Sequence, residues 1–218
     1  MEEPPRTAPA KSSARDRILL AAKQFFAEHG YENTSTASIA RAAQTSESQI
    51  VKHFGSKENL LEAIFENGWR RIAEAFGALD YLSSPSAKLQ ALVGLILGKL
   101  EEDDQLKQLL LLEGRRIRKE GHMVLMTRGY LSFIRTLDNL LGEMSSAGQL
   151  RPELHVEGMR SAIVGMMEGL LRDQILAARA GYPATFNSED IRKLFLHVLQ
   201  SFSAAPVRMV SPTARAQS

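Results

Sequence analysis

The sequence predicts an all-α protein of about nine helices. Apolar residues recur at helical spacing from residue 14 to residue 203, and breaks rich in Gly, Pro and Ser separate the periodic segments. No stretch sustains the alternation of apolar and polar residues that is typical of a strand. We therefore expect a helix-turn-helix domain over 14–56 and a second helical domain over 57–203, between disordered ends at 1–13 and 204–218.

The first helix is predicted over Ala14–His29, with Gly30 as its C-cap. Its apolar stripe is expected to form the core on which the next two helices rest, and consists of Ile18, Leu19, Ala22, Phe25 and Phe26. Lys11, Arg15 and Arg17 precede or open this helix. They either contact a nucleic-acid backbone or form an ordinary basic end.

Residues 35–61 predict a helix-turn-helix followed by a third helix. Ser35 or Thr36 can cap the first helix, and Ser46 can cap the second, which is expected over Glu47–His53. Gly55 then ends the second helix, Ser56 caps the next one, and Lys57 lies in its first turn. In this motif the second helix enters the DNA major groove.

The block from Arg15 to Trp69 resembles the N-terminal domain of TetR-type transcriptional regulators. The matching segments are AAKQFFAEHGYENTS, SIARAAQTS and IVKHFGSKENLLEAIF, and the last contains the specific signature Phe54-x-Ser56-Lys57-Glu58-x-Leu60. The resemblance implies a homodimer that binds a palindromic double-stranded DNA operator, most often as a repressor, and is released by a small molecule. The chain departs from the family at Gln44, where Gly is usual, at Thr45, where an apolar residue is usual, and at Val51, where Tyr is usual.

The DNA-contacting residues are expected in and around the second helix of the motif. Gln49 suits an adenine edge, Ser48 suits several bases, and Glu47 either accepts from a cytosine amino group or favours the helix N-terminus electrostatically. The remaining candidates suit phosphates or lie at the helix caps, and are Thr34, Ser35, Thr36, Ser46, Lys52, His53 and Lys57.

Six further helices are expected after the motif. Their ranges are Lys57–Leu79, 86–101, 103–119, 122–147, 153–180 and 187–203. Ser161, Gly165 and Gly169 follow one another at four-residue spacing, which predicts close approach of another helix. The last helix carries an apolar stripe of Ile191, Leu194, Phe195, Val198 and Phe202. Both faces either pair with a second copy of the chain in a four-helix bundle or pack inside the monomer.

The family resemblance also implies a pocket for a small, largely apolar effector in the second domain. The candidate pocket residues are Trp69, Phe76, Leu92, Leu95, Ile96, Arg115, Arg116, Met126, Tyr130, Met166 and Glu168. The apolar candidates are alternatively plain core, and the two arginines a solvated face. Glu168 lies in the most apolar helix, where it meets either a cationic ligand or Arg172.

Other chemistry has little support in the sequence. The chain has no Cys, and its 5 His residues are scattered without metal-ligand spacing. We predict no catalytic residue, metal or cofactor. No signal peptide or membrane segment is evident, so we expect a cytoplasmic protein. Two alternatives remain: a helical sensor of a ligand or protein with weak or no specific DNA binding, and a small helical enzyme.

Overall fold

The computed structural model describes residues 13–112, 117–118, 123–124 and 127–204. Within these residues the chain is almost entirely helical, which confirms the predicted all-α class. A 3₁₀ helix, Glu74–Tyr81, follows the fourth α-helix. The α-helices are α1 (Ala14–His29), α2 (Thr36–Ala42), α3 (Glu47–Phe54), α4 (Lys57–Ala73), α5 (Pro85–Glu102), α6 (Asp104–Leu112), α7 (Arg128–Ser146), α8 (Val156–Ala180) and α9 (Ser188–Phe202).

The structure differs from the predicted helices between α6 and α7. Strands β1 (Ile117–Arg118) and β2 (Met123–Val124) pair antiparallel, with Ile117 opposite Val124. The helices expected over 103–119 and 122–147 are therefore wrong in their facing ends, since α6 ends at Leu112 and α7 begins at Arg128. A strand of two residues is too short to show a period of two in the sequence. Arg115, Arg116 and Met126, which we predicted as pocket residues, lie outside the described residues.

The described residues divide into two compact units, and the first holds those from 13 to 74 together with those between 98 and 131. Its central helix is α1, which contacts α2, α3, α4 and α6. The predicted domain boundary after residue 56 falls inside this unit, because α4 and α6 both contact α1. Its buried core consists of Ile18, Ala21, Ala22, Phe26, Ala27, Tyr31, Ile39, Ala40, Ala43, Ile50, Phe54, Leu60, Leu61, Ile64, Phe65 and Leu109.

Asp103, the single residue between α5 and α6, joins three helices of the first unit. Its carboxylate lies 2.8 Å from the Lys23 Nζ of α1 and 3.8 Å from the Arg71 Nη1 of α4. It also accepts the Leu106 N–H at 3.0 Å and so caps α6. Burial raises the pKa of Asp103, but the hydrogen bonds from Lys23 and Leu106 and the nearby positive charges outweigh it. The pKa of this carboxyl therefore lies below its ordinary value.

The first turn of α7 contacts α4 at one point within the first unit. The Gly129 N–H donates to the Glu66 Oε2 at 3.0 Å, and the Tyr130 ring lies edge-on to Trp69 with centroids 5.4 Å apart. A Cβ on Gly129 would overlap the Trp69 side chain, so only glycine allows this approach. Thr127, which is buried, accepts the Tyr130 N–H and caps the helix.

The second unit holds Ala75–Leu97 and residues 132–204. The Arg160 guanidinium of α8 donates two hydrogen bonds to Asp138 of α7, at 2.9 and 3.1 Å. Asn187 forms a capping box with Asp190 at the start of α9. The fully buried side chains of this unit include Leu89, Leu92, Leu137, Leu141, Ile163, Leu171, Ile191 and Phe195.

Candidate nucleic-acid interface

The turn between α2 and α3 is closed by a Schellman motif whose left-handed residue is not glycine. The Thr45 N–H donates to the Ala40 carbonyl at 2.9 Å, and the Gln44 N–H donates to the Arg41 carbonyl at 3.1 Å. Gln44 has φ = 51°, the left-handed conformation that side chains resist. Gln44 thus holds the backbone conformation that glycine, the residue usual in the resembling family, adopts without steric cost.

Packing on α1 fixes the position of α3. Ile50 and Phe54 are buried on its inner side, at 1% and 8% exposure. The Arg17 Nε donates to the Ala43 carbonyl at 3.1 Å, which joins α1 to the turn. The Arg15 guanidinium lies 5.3 Å from the centre of the Phe54 ring. These contacts hold α3 from its inner side and leave its outer side open.

The outer side of α3 is exposed and carries a mixed set of side chains: Glu47, Ser48, Val51, Lys52 and His53. Gln49 is half-buried. Ser48 and Ser46 share a hydroxyl hydrogen bond of 2.7 Å. Glu47 accepts a hydrogen bond from the Thr36 hydroxyl, so its carboxylate bridges the first residues of α2 and α3. We predicted that Glu47 either accepts from a cytosine amino group or interacts favourably with the N-terminus of its helix. The hydrogen bond to Thr36 is a third role.

Thr34 differs from its predicted role. Its side chain is 3% exposed, and its hydroxyl donates to the carbonyls of Phe25 and Gly30 at 3.1 and 2.9 Å. Thr34 therefore stabilises the end of α1, and its side chain is too buried to contact a phosphate. The exposed Ser35 does cap α2, since its Oγ accepts the Ser38 N–H at 3.1 Å.

The N-terminus of α4 lies beside this surface, with Ser56 as its cap. The Ser56 Oγ accepts the Asn59 N–H at 3.1 Å. The Lys57 Nζ lies 4.3 Å from the centre of the Tyr31 ring, a cation–π contact that directs the ammonium group. Tyr31 was absent from our candidates. The position of Tyr31 directly after the Gly30 cap was the one feature of the sequence that could have indicated a role. The sequence does not show which cation contacts an aromatic ring.

The predicted effector residues lie in different surroundings. Trp69 and Tyr130 contact each other in the first unit, as described above. In the second unit Leu92 and Ile96 are fully buried core. Phe76, Leu95, Met166 and Glu168 are half-buried. The Arg172 Nε lies 3.8 Å from Asp173.

A polar cavity of about 410 Å³ lies in the first unit, and none of the predicted effector residues lines it. Its lining residues are Arg15, Asn59, Glu62, Ala63, Glu66, Asn67, Arg70 and Arg128. Because these side chains are mostly charged or amide-bearing, the cavity does not match the apolar pocket that we expected.

The predicted dimer residues divide into exposed and buried groups. Ser161 and Gly165 are exposed, and Leu194 is 43% exposed. Gly169, Val198 and Phe202 are half-buried. Ile191 and Phe195 are each 1% exposed, so they belong to the core of the monomer, which corrects their assignment to an interface. The apolar stripe of α9 thus has a buried part, with Ile191 and Phe195, and an exposed part, with Leu194.

In the part of the chain that the structure describes, no three His, Asp or Glu side chains are placed to hold a metal ion together. No helix among these residues has the length and hydropathy needed to cross a membrane.

Comparison with known proteins agrees with this arrangement. Residues 18–64 match the family model described as "Bacterial regulatory proteins, tetR family". The repressor AcnR of Corynebacterium glutamicum is 40% identical over 63 residues, which are 29% of this chain and 34% of AcnR. The chain thus aligns with about a third of that relative's length. The fatty acid metabolism regulator protein of Bacillus subtilis is 25% identical over 155 residues, covering 70% of this chain and 78% of that protein.

The similarity in fold to solved structures covers more of the chain than the first domain. The solved structure of FadR from Bacillus subtilis, in complex with stearoyl-CoA, has a TM-score of 0.73 at 21% identity, over 85% of this chain and 97% of that one. The fold and the α1–α4 geometry define a helix-turn-helix protein with an additional helical domain. Its N-terminal domain is similar to that of the TetR family of bacterial regulatory proteins.

Proposed function

We propose that this protein is a ligand-responsive repressor that binds a palindromic DNA operator as a homodimer. The observation that carries the proposal is the outer side of α3, which packing fixes from within and leaves open to solvent. A short exposed helix held in this way is what a helix-turn-helix inserts into the major groove. AcnR, which shares the first domain, is named a transcriptional repressor.

Base contacts come from the first turn of α3 in this proposal, and phosphate contacts come from its flanks. Ser48 and Gln49 face base edges. The candidates for phosphate are Ser35, Thr36, Lys52, His53 and Lys57. Lys57 adds its own charge to the N-terminus of α4, which Ser56 caps, and the two together attract phosphate. Glu47 keeps Thr36 and α3 in register through their hydrogen bond.

The dimer is supported by an open face of small residues on α8. A Cβ added to Gly165 would meet nothing within 4 Å, and one added to Gly169 would meet only the flexible end of Arg172 at 3.9 Å. Contacts within the described chain therefore do not require glycine at these positions. A second copy that packs α8 and α9 against their counterparts would require it, and would also cover Leu194 and Leu196, which are 43% and 42% exposed.

The effector is proposed to be a largely apolar small molecule. A relative over most of the chain is named a fatty acid metabolism regulator, and a protein of the same fold binds stearoyl-CoA. Long-chain acyl-CoA is therefore the first compound to test, with Phe76, Leu95, Met166 and Glu168 as candidate contacts. We expect the protein to act on DNA in the bacterial cytoplasm and to have no catalytic activity.

Selection from a random double-stranded DNA pool tests the proposal. We expect enrichment of a two-fold symmetric sequence, with an affinity that falls steeply between two salt concentrations. Adding stearoyl-CoA should then release the protein from this DNA, while free coenzyme A serves as the control. Weak, sequence-independent binding by a folded dimer would overturn operator binding and favour the alternative, a helical sensor.

A further inference from the structure

Val51 is an apolar side chain in the middle of the outer side of α3. It is 61% exposed, whereas Ile50 beside it is 1% exposed. Its neighbours on the outer side are Glu47 and Ser48, four and three residues earlier, and Lys52. Nothing in the packing of the first unit requires a valine at this place, because the side chain points away from the core.

The neighbours of Val51 already have polar roles. Glu47 is hydrogen-bonded to Thr36, and Ser48 is hydrogen-bonded to Ser46. Lys52 carries a charge that suits phosphate. Val51 has neither donor nor acceptor, so it can recognise only an apolar group.

The major groove offers one apolar group on the base edges, the 5-methyl group of thymine. We propose that Val51 packs against a thymine methyl and thereby sets a preference for thymine at one position of each operator half-site. Valine is suited to this contact because its χ1 angle is nearly fixed in a helix. Its two methyl groups are therefore already oriented before DNA arrives, and little side-chain freedom is lost on binding. The inference rests on the proposed operator binding and adds to it a preferred base at one position of each half-site.

Replacing thymine with deoxyuridine tests this contact, because the replacement removes the methyl group and keeps the base pair. In the selected operator, each thymine is replaced symmetrically in both half-sites, and affinity is measured for the natural protein and for Val51→Ala. We expect one position at which the natural protein loses about three- to fivefold per half-site, the size expected for one buried methyl group. Val51→Ala should bind the thymine operator correspondingly weakly and should not respond to the loss of that methyl.

Leu20→Ala is the matched control, since Leu20 is also an exposed aliphatic residue, at 64% exposure, but belongs to α1 and not to α3. This variant should keep the full response to deoxyuridine. The inference is overturned if no thymine methyl matters to the natural protein, or if Val51→Ala loses as much as the natural protein at the same position. A pool that yields no enriched sequence would overturn operator binding itself, and the thymine contact with it.

Discussion

Among single residues, Gln44 places the clearest strain on the helix-turn-helix. It holds a left-handed backbone at the C-terminus of α2, and its side chain is exposed. We expect Gln44→Gly to raise the free energy of unfolding by about 0.5–1 kcal/mol, because glycine adopts this conformation without steric cost. Urea denaturation measures the change.

Gln44→Ala is the control for this prediction. Alanine keeps the Cβ that makes a left-handed backbone costly, so this variant should be no more stable than the natural protein. Equal gains from alanine and glycine would show that the glutamine side chain, and not the backbone conformation, causes the strain.

Lys57 carries a second prediction at this scale, because Tyr31 directs its ammonium group beside the N-terminus of α4. Lys57→Ala should weaken binding to all DNA sequences alike and should reduce the slope of log K against log salt by about one. Fluorescence anisotropy at several salt concentrations gives both values. Lys88→Ala, a lysine of the second unit, should leave the slope unchanged. A change of base preference in Lys57→Ala would contradict a phosphate contact.

Some caps could be predicted from the sequence, whereas burial of a hydroxyl could not. Ser46 occupies the predicted N-cap position of α3, but its side chain makes no cap hydrogen bond, which corrects that prediction. Ser35 and Ser56 cap their helices as expected, because such caps depend on neighbours within three residues. Thr34 looks equally suited to phosphate in the sequence. Thr34 is buried because α1 ends just before Gly30, and the Gly30 carbonyl accepts a hydrogen bond from the threonine hydroxyl. The local sequence pattern does not reveal this contact.

Between helices, the contact of Lys23 with Asp103 carries the third prediction. Both side chains are less than 20% exposed, at 19% and 18%. Lys23→Met should lower the free energy of unfolding by about 1–2 kcal/mol at pH 7, since it leaves a half-buried carboxylate without its closest cation. Lys99→Met, which breaks an exposed pair with Glu102, should cost about 0.5 kcal/mol or less.

The pH dependence of this contact follows from the lowered pKa of Asp103. A carboxyl whose pKa is depressed by folding stabilises the protein fully above its unfolded pKa, near 3.8. That contribution is lost as the pH falls through the lower folded pKa. The difference between the natural protein and Lys23→Met should therefore be constant near neutrality and shrink below pH 3.8. A difference that persists unchanged in acid would mean that lysine packing, not charge, stabilises the contact.

Helices with strong terminal signals were predictable to the residue, and those without them were not. α1 has the predicted bounds because Ser13 caps it and Gly30 ends it. The fourth helix was expected to continue to Leu79, but α4 ends at Ala73 and a 3₁₀ helix follows. The tighter winding preserves the apolar spacing well enough that the sequence shows no break.

For the molecule as a whole, the fourth prediction concerns assembly. Gly165→Leu should produce monomers or a weakened dimer, because a bulky side chain would separate the two α8 helices that the proposed dimer brings together. Sedimentation velocity measures the species present. Gly94→Leu is the control, since Gly94 is also an exposed glycine within a helix and has open space around it. A stable dimer of Gly165→Leu would exclude this face as the interface.

Which residues of the α9 stripe are buried within one chain could not be predicted from their spacing. In α9 the residues Ile191 and Phe195 face the chain's own core, while Leu194 lies exposed between them. The spacing of apolar residues shows that a helix has an apolar side. It does not show how much of that side is buried by the rest of the same chain. The spacing of apolar residues also could not separate pocket residues from core residues, since the candidate effector residues Leu92 and Ile96 are fully buried in the core.

The contact of Trp69 with Gly129 and Tyr130 has a spectroscopic consequence. Trp69 is the single tryptophan of the chain and is 6% exposed, so the intrinsic emission of the protein arises from this one place. A buried indole emits at shorter wavelength than a hydrated one. Any event that lifts the first turn of α7 from α4 would therefore shift the emission to the red, and stopped-flow fluorescence could follow that movement in the natural protein without a dye.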